Sequence, residues 1–215
     1  MKQGLFITFE GGEGSGKSTQ LELFAAYLRT EGYDVVITRE PGSTSVGKEI
    51  RRLLVEGTKD KFDEITETLL FYADRRLNLT QIVWPALAEG KIVLSDRFND
   101  STIAYQYYGA NKLADRQILD TLYNTVAGSF KPDLTFLLDI DAHIGLARSF
   151  RKAETMSTKE IRFEQAEISF HERLRNGYLE LAKQEPERFY VISGDKTKDA
   201  IQHEIQQAFK QKFHP

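Results

Sequence analysis

Leu5-Phe6-Ile7-Thr8-Phe9 leads through Glu10 into Gly11-Gly12-Glu13-Gly14-Ser15-Gly16-Lys17-Ser18-Thr19, a run that fits G-x-x-x-x-G-K-[ST]. The order strand, glycine loop, helix narrows the possible folds more than anything else in the chain. Glycines let the loop turn tightly with its N–H groups facing inward, and the helix start adds partial positive charge. Lys17 is then placed for β/γ-phosphates and the Ser18 hydroxyl for Mg²⁺. Glycine-rich turns also join strands to helices without any ligand, but here the lysine, the hydroxyl and the flanking pattern agree. The run reads as a nucleoside triphosphate site.

Further β-rich runs at 35–38, 91–95, 134–138 and 189–192 alternate with helical patterns. This alternation predicts an α/β fold, a five-stranded parallel sheet with helices on both faces. At 215 residues a single domain over 1–215 is expected. Leu21, Phe24, Ala25 and Leu28 recur at helical spacing, and Gly32 supplies a stop. A second helix is expected over 46–55. A long helical region follows over 63–89, with Ile65, Leu69, Tyr72 and Leu79 among its apolar positions; Pro85 should kink or break it. Ile118, Leu122 and Val126 mark another helix. The last two regions exceed what a small core needs, which makes them candidates for a subunit interface. Between Arg151 and Arg162 the pattern fails and the residues turn polar and charged, as in a mobile lid at about 150–162. Periodicity resumes with Phe163, Glu167, Phe170, Leu174, Tyr178 and Leu181.

Composition excludes several classes. A formal net charge of -3 argues against a nucleic-acid polymer or a membrane surface as partner. The absence of cysteine excludes disulfides, thiolate zinc sites and a cysteine nucleophile, and fits a reducing cytoplasm. No apolar signal core follows Met1, and no apolar run approaches membrane-spanning length.

Asp96-Arg97-Phe98 ends the third strand, where an open sheet presents ligands outside its carboxyl edge. An acid there can hold Mg²⁺ and an arginine can clamp a phosphate; a helix cap with a surface ion pair is the plainer alternative. Arg39-Glu40-Pro41-Gly42-Ser43-Thr44 ends the second strand. Pro-Gly is ordinary turn chemistry, yet an arginine at that edge supplies a counter-charge for an acceptor phosphate. Phe71 and Arg75 stand at i and i+4, so one helix face offers a ring to stack on a base and a planar donor for its exocyclic oxygen. The same spacing is also the common core pattern. Arg148, Arg151 and Arg162 flank the suspected lid with Lys152. Because the phosphate loop has Glu13 and no arginine, cationic help for a transferring group is expected from them. His143, His171, His203 and His214 are scattered and receive no chemistry. Asn111-Lys112-Leu113-Ala114-Asp115 misses the guanine-reading Asn-Lys-x-Asp of a GTP switch by one residue.

The phosphate loop, Arg39-Glu40-Pro41-Gly42, Phe71 to Arg75, and Asp96-Arg97-Phe98 followed by Ser101-Thr102-Ile103-Ala104-Tyr105-Gln106 together resemble the thymidylate kinase family. That resemblance implies a P-loop nucleoside monophosphate kinase fold, transfer of the ATP γ-phosphoryl group to dTMP with Mg²⁺ as cofactor, and a cytoplasmic homodimer. It implies that Gly11, Gly12, Glu13, Gly14, Ser15, Gly16, Lys17, Ser18 and Thr19 bind ATP, with Ser18 and Asp96 at the metal. Arg39 and Arg97 would hold the dTMP phosphate, Pro41 would also contact the substrate, Phe71 would stack on thymine, and Arg75 would bond its oxygen. Thr102 and Gln106 would line the base edge, Glu13 would face the 3′-hydroxyl, and Tyr105 would crowd the 2′ position. Lys17, Arg97 and a lid arginine, Arg151, would carry catalysis. Two departures stand out: Ser43 replaces a usual second glycine, and Ile161-Arg162 replaces a usual Asp-Arg pair. No general base is needed, because a phosphomonoester with a second pKa of about 6 is already nucleophilic at neutral pH.

Overall fold

The computed structural model describes residues 4–58, 61–110, 115–156, 163 and 166–213. Strands β1 (Leu5–Glu10), β2 (Val35–Arg39), β3 (Ile92–Asp96), β4 (Leu134–Asp139) and β5 (Phe189–Ser193) form one parallel sheet in the order β2-β3-β1-β4-β5. Each strand begins where its β-rich run does or one residue later. The chain passes from one side of β1 to the other between β3 and β4, so the switch point lies at the carboxyl ends of β1 and β3. Phe9 and Arg39 both stand beside Asp96 there.

Two apolar clusters sandwich the sheet. Ile7 and Phe9 of β1 meet Phe24 and Leu28 of α1 (Lys17–Thr30) and Ile205 and Phe209 of α9 (Lys198–Phe213) on one face. On the other, Phe6 and Val93 pack with Tyr72 of α3 (Glu64–Asn78) and Leu119 of α6 (Arg116–Ala127). The period of two along β1 therefore puts Thr8 and Glu10, both fully buried, on the Phe6 side. Helix α2 (Ser45–Val55) starts one residue earlier than its apolar pattern, because Thr44 caps it by accepting from the Gly47 N–H at 2.9 Å.

Pro85 neither breaks nor ends the long helical region. Helix α3 continues through a π-helical turn, Leu79–Val83, into α4 (Trp84–Ala88), where Pro85 occupies the first turn and its missing N–H matters least. Ile118, Leu122 and Val126 mark α6 as expected, but its buried stripe lies one residue further along. Leu119, Tyr123 and Ala127 are buried, whereas Ile118 is 42% exposed; likewise Tyr72 and Leu79 are buried while Ile65 and Leu69 stay exposed on α3. Apolar spacing alone did not distinguish a helix's inner face from its outer one.

The suspected lid also differs. Helix α7 (Ala142–Met156) runs through residues 151–156 despite their polarity, because a solvated helix needs no apolar stripe once its first turns are packed. Residues 157–162 lie outside the described residues. Helix α8 (Ile168–Gln184) begins five residues after Phe163, which sits in a turn.

Short helix α5 (Asn99–Thr102) runs into a second π-helical segment, Ile103–Gly109, which packs closely against α8. Glycines permit the approach: a Cβ at Gly177 would lie 2.5 Å from Tyr108 Cβ and Cγ. Gly177→Ala is expected to destabilise the chain by about 1–3 kcal/mol, read as a lower urea midpoint with an unchanged m-value.

Candidate active site

The phosphate loop closes on itself around Lys17. Its ammonium donates to the carbonyl oxygens of Gly11 at 3.0 Å and Gly12 at 2.8 Å and to Ser15 Oγ at 3.3 Å. Burial, reinforced by Arg97, pulls the lysine down to about 8. Glu13, Asp96 and Glu10 compensate this buried ammonium only in part, and an incoming polyphosphate would add the rest. Gly14 has φ +65°, and a Cβ there would stand 2.0 Å from the Gly145 carbonyl oxygen, so the loop rests directly on the start of α7. Ser18 Oγ donates to Asp96 Oδ2 at 2.6 Å. A hydroxyl and a carboxylate side by side at the sheet edge are the hard oxygen donors Mg²⁺ takes, the remaining positions going to phosphate and water.

Beside the loop, Arg97 occupies the left-handed region with φ +72°, unusual for so bulky a residue. Its Nη1 donates to Gly11 O, Ser101 Oγ and Tyr178 OH, each at 3.1 Å. Its Nη2 donates to Glu13 Oε1 at 3.0 Å and Tyr105 OH at 2.9 Å, while Tyr105 OH donates to Glu13 Oε1. Burial disfavours a charge on Glu13, but Arg97 and Lys17 overcome it and hold the carboxyl down at about 2. Glu13 thus stays ionised at any physiological pH.

A cavity opens next to Arg97, lined by Phe71, Arg75, Thr102, Tyr105, Gln106 and Phe163, among others. The residues the sequence assigned to the base meet there with Tyr105, whereas Glu13, assigned to the sugar 3′-hydroxyl, is not among the lining residues and is reached through Arg97 and Tyr105. Arg75 is more deeply committed than expected. Only 1% exposed, it donates from Nε to Glu40 Oε2 at 2.8 Å, from Nη1 to Asn99 Oδ1 at 3.1 Å and from Nη2 to Thr102 Oγ1 at 2.9 Å. It therefore shapes the cavity as well as lining it. Gln106 donates to Glu67 Oε1 at 2.9 Å, and its own Oε1 is buried without a partner, a free acceptor at the cavity edge. The π-helical winding carries both Tyr105 and Gln106 inward.

Arg39 lies at the strand edge, exposed and not among the residues lining this cavity. Ser43 Oγ accepts from the Arg39 N–H at 2.7 Å and donates to the Arg39 carbonyl at 2.9 Å, clamping that arginine's backbone. The next peptide, Glu40-Pro41, is cis. Of the arginines expected to flank a lid, Arg148 donates to Gly194 O at 3.0 Å, whereas Arg151 is exposed and Arg162 lies outside the described residues. Asn111 to Ala114 also lie outside them, and Asp115 serves as the cap of α6, accepting from the Gln117 N–H at 2.9 Å.

Sequence reasoning missed Phe163, Glu10, Ser101, Tyr178 and His171. Phe163 stands over the cavity with its ring centroid 6.3 Å from Phe71 and 5.4 Å from Tyr105. His171, 3% exposed and with its pKa lowered by burial, hydrogen-bonds the Phe163 backbone. No spacing rule flags a histidine whose partner is a carbonyl eight residues earlier.

A parallel sheet with a closed phosphate loop at its switch point and an arginine-lined cavity beside it defines a P-loop phosphotransferase of the nucleoside monophosphate kinase class. The comparisons narrow the class. The family model described as thymidylate kinase matches residues 9–205. The thymidylate kinase of Caulobacter vibrioides is 46% identical over 201 residues, covering 94% of this chain and 93% of that one. That of a Nostoc species is 42% identical over 205 residues, covering 95% and 94%. A crystal structure of thymidylate kinase from Ehrlichia chaffeensis superposes with a TM-score of 0.76 at 36% identity, covering 97% of this chain and 99% of that one. The chain belongs to the thymidylate kinase family, enzymes that phosphorylate dTMP in dTTP synthesis with ATP as donor.

The turn after β2 generates a pH prediction. Asp74 Oδ1 accepts from the Gly42 N–H at 3.0 Å and Oδ2 has no partner, so burial, with Glu40 adding to it, raises the carboxyl to about 7. A raised acid stabilises the fold fully below its unfolded value near 3.8 and loses that contribution as pH rises through about 7. The stability of Asp74→Asn relative to the parent should therefore increase by on the order of 2 kcal/mol between pH 5.5 and pH 8.5, by urea unfolding at both values.

Proposed function

We propose that residues 1–215 act as one kinase domain in which ATP lies along residues 11–19 and dTMP enters the cavity under Phe71. The supporting observation is the contact between Arg97 and the Gly11 carbonyl at 3.1 Å: one guanidinium touches the donor loop and faces the acceptor cavity. Ser18 and Asp96 would hold Mg²⁺, which neutralises and orients phosphate oxygens when bound. Lys17 then leaves its loop carbonyls for the donor phosphates. Arg97 takes the acceptor phosphate, with Arg39 supplying charge from the β2 edge. Phe71 stacks on the base, Arg75 and Gln106 meet its polar edge with Thr102 beside them, Glu13 faces the 3′-hydroxyl and Tyr105 limits the 2′ side. Catalysis is alignment and charge neutralisation, because the acceptor is already a nucleophile.

The same proposal places the lid over 150–162 and gives Arg151 the transferring phosphoryl group. Its support is that Arg148 is engaged with Gly194 while Arg151, one turn further along α7, is exposed. A homodimer is proposed through α3 and α6, whose Ile65, Leu69 and Ile118 are 54%, 49% and 42% exposed. The proposed site of action is the cytoplasm; among the described residues no helix is long and apolar enough to cross a membrane.

With Mg-ATP, dTMP should outrun every other common nucleoside monophosphate in ADP release, dUMP remaining a weak substrate because one methyl contact is worth about 1–3 kcal/mol. Equal turnover of AMP or GMP would refute the acceptor assignment. Arg151→Ala should lower kcat by about 10²–10³ with little change in dTMP affinity. Near-normal steady-state kcat in that variant would remove the lid arginine from the mechanism.

A further inference from the structure

Glu10 ends β1 on the buried Phe6 face, 0% exposed, and the roles above leave it unused. Its Oε1 accepts from the Phe98 N–H at 2.7 Å. Its Oε2 accepts from the Ser101 hydroxyl at 2.6 Å and from the Tyr178 hydroxyl at 3.3 Å. Ser101 and Tyr178 are themselves 2.7 Å apart, and each takes a hydrogen bond from Arg97 Nη1. Glu10 thus holds the peptide that follows Arg97 and both hydroxyls that face its guanidinium.

The backbone at Arg97 needs that restraint. A bulky residue at φ +72° persists only where its surroundings over-determine it. The Arg97 N–H donates to Phe9 O at 3.0 Å, and Ser95 Oγ donates to the Arg97 carbonyl at 2.7 Å. Glu10 fixes the third side through Phe98. It also ties β1 to α5 and α8, which the Ser101–Tyr178 hydrogen bond links to each other.

We propose that Glu10 is a positioning residue for the acceptor phosphate, setting the left-handed turn of Arg97 through the Phe98 N–H and aiming its guanidinium through Ser101 and Tyr178. A carboxylate suits this post better than an amide. It accepts from all three donors at once, whereas glutamine offers one oxygen and must turn its amide N–H groups toward the two hydroxyls. Burial, with Asp100 nearby, raises Glu10 to about 7, so the fold carries this carboxyl at some expense of stability, a pattern more typical of sites than of cores.

The inference rests on reading Arg97 as the acceptor-phosphate ligand, and Arg97→Ala measured alongside separates the two. Glu10→Ala should lower kcat/KM for dTMP at least tenfold while KM for ATP stays within twofold. Glu10→Gln, which keeps an acceptor for the Phe98 N–H, should recover most of that loss and sit about threefold below the parent. Tyr178→Phe, which removes one hydroxyl and no charge, should also raise KM for dTMP selectively. If Arg97→Ala leaves KM for dTMP unchanged, the underlying reading falls and this one with it. If Arg97→Ala raises it but folded Glu10→Ala shifts both substrates equally or neither, Glu10 only stabilises the fold. Should Glu10→Ala fail to fold, Glu10→Gln and Tyr178→Phe decide: unchanged KM for dTMP in both overturns the proposal.

Discussion

A guanidinium taken out of water must be neutralised where it stands, and two such groups organise this molecule. Arg75 is matched by Glu40 and Arg97 by Glu13, both pairs beside one cavity. The pairs do not make the protein stable in any simple sense, since desolvation offsets most of the Coulomb gain and only the removal of one partner is strongly felt, at about 3–5 kcal/mol. What they supply is direction. Each guanidinium has its N–H groups assigned to named acceptors, so its plane is set before a substrate arrives. Preorganised charge of this kind avoids reorganisation during phosphoryl transfer, where positioning is most of the work.

The surrounding shell repeats that logic with neutral groups. Asn78 accepts from the Thr38 hydroxyl at 2.5 Å and donates to Glu40 Oε1 at 2.9 Å, so the carboxylate that holds Arg75 is itself held. Thr8 and Thr135 share a hydrogen bond at 2.8 Å across β1 and β4, and Arg188 joins Thr135 to Asp100 at 2.7 Å each. The Phe6 face of the sheet thus carries a polar layer of Thr8, Thr38, Thr135 and Glu10 beside its apolar cluster, while the Ile7 face is a conventional apolar core.

The strands and the phosphate loop were readable in the sequence because each has a local signature: β-rich runs near turn residues, and glycines at fixed offsets before Lys17 and Ser18. Phe71, Arg75, Arg97, Tyr105 and Gln106 could be grouped because their motifs resemble the family's, and they do line one cavity. Glu10, Tyr178 and His171 were not. Their partners lie 91, 81 and 8 residues away, and nothing in the local pattern of a buried strand end or a helix face announces a long-range hydrogen bond. Ile118, Leu122 and Val126 marked α6 but not its inner face for a related reason: Ile118 and Leu119 are equally apolar, and only the neighbouring α3 decides which is covered.

The resting of Gly14 on the Gly145 carbonyl makes α7 a pointer whose pivot is the phosphate loop. At about 1.5 Å of rise per residue, Arg151 stands roughly 9 Å along the rod from that contact. A tilt of about 10° about the pivot moves the arginine's backbone by only about 1.6 Å, less than the reach of its own side chain. The angle between loop and helix therefore matters less than whether the helix stays wound as far as residue 151, and a turn of helix with no apolar stripe becomes the gauge of how far a positive charge can be held from the donor phosphates.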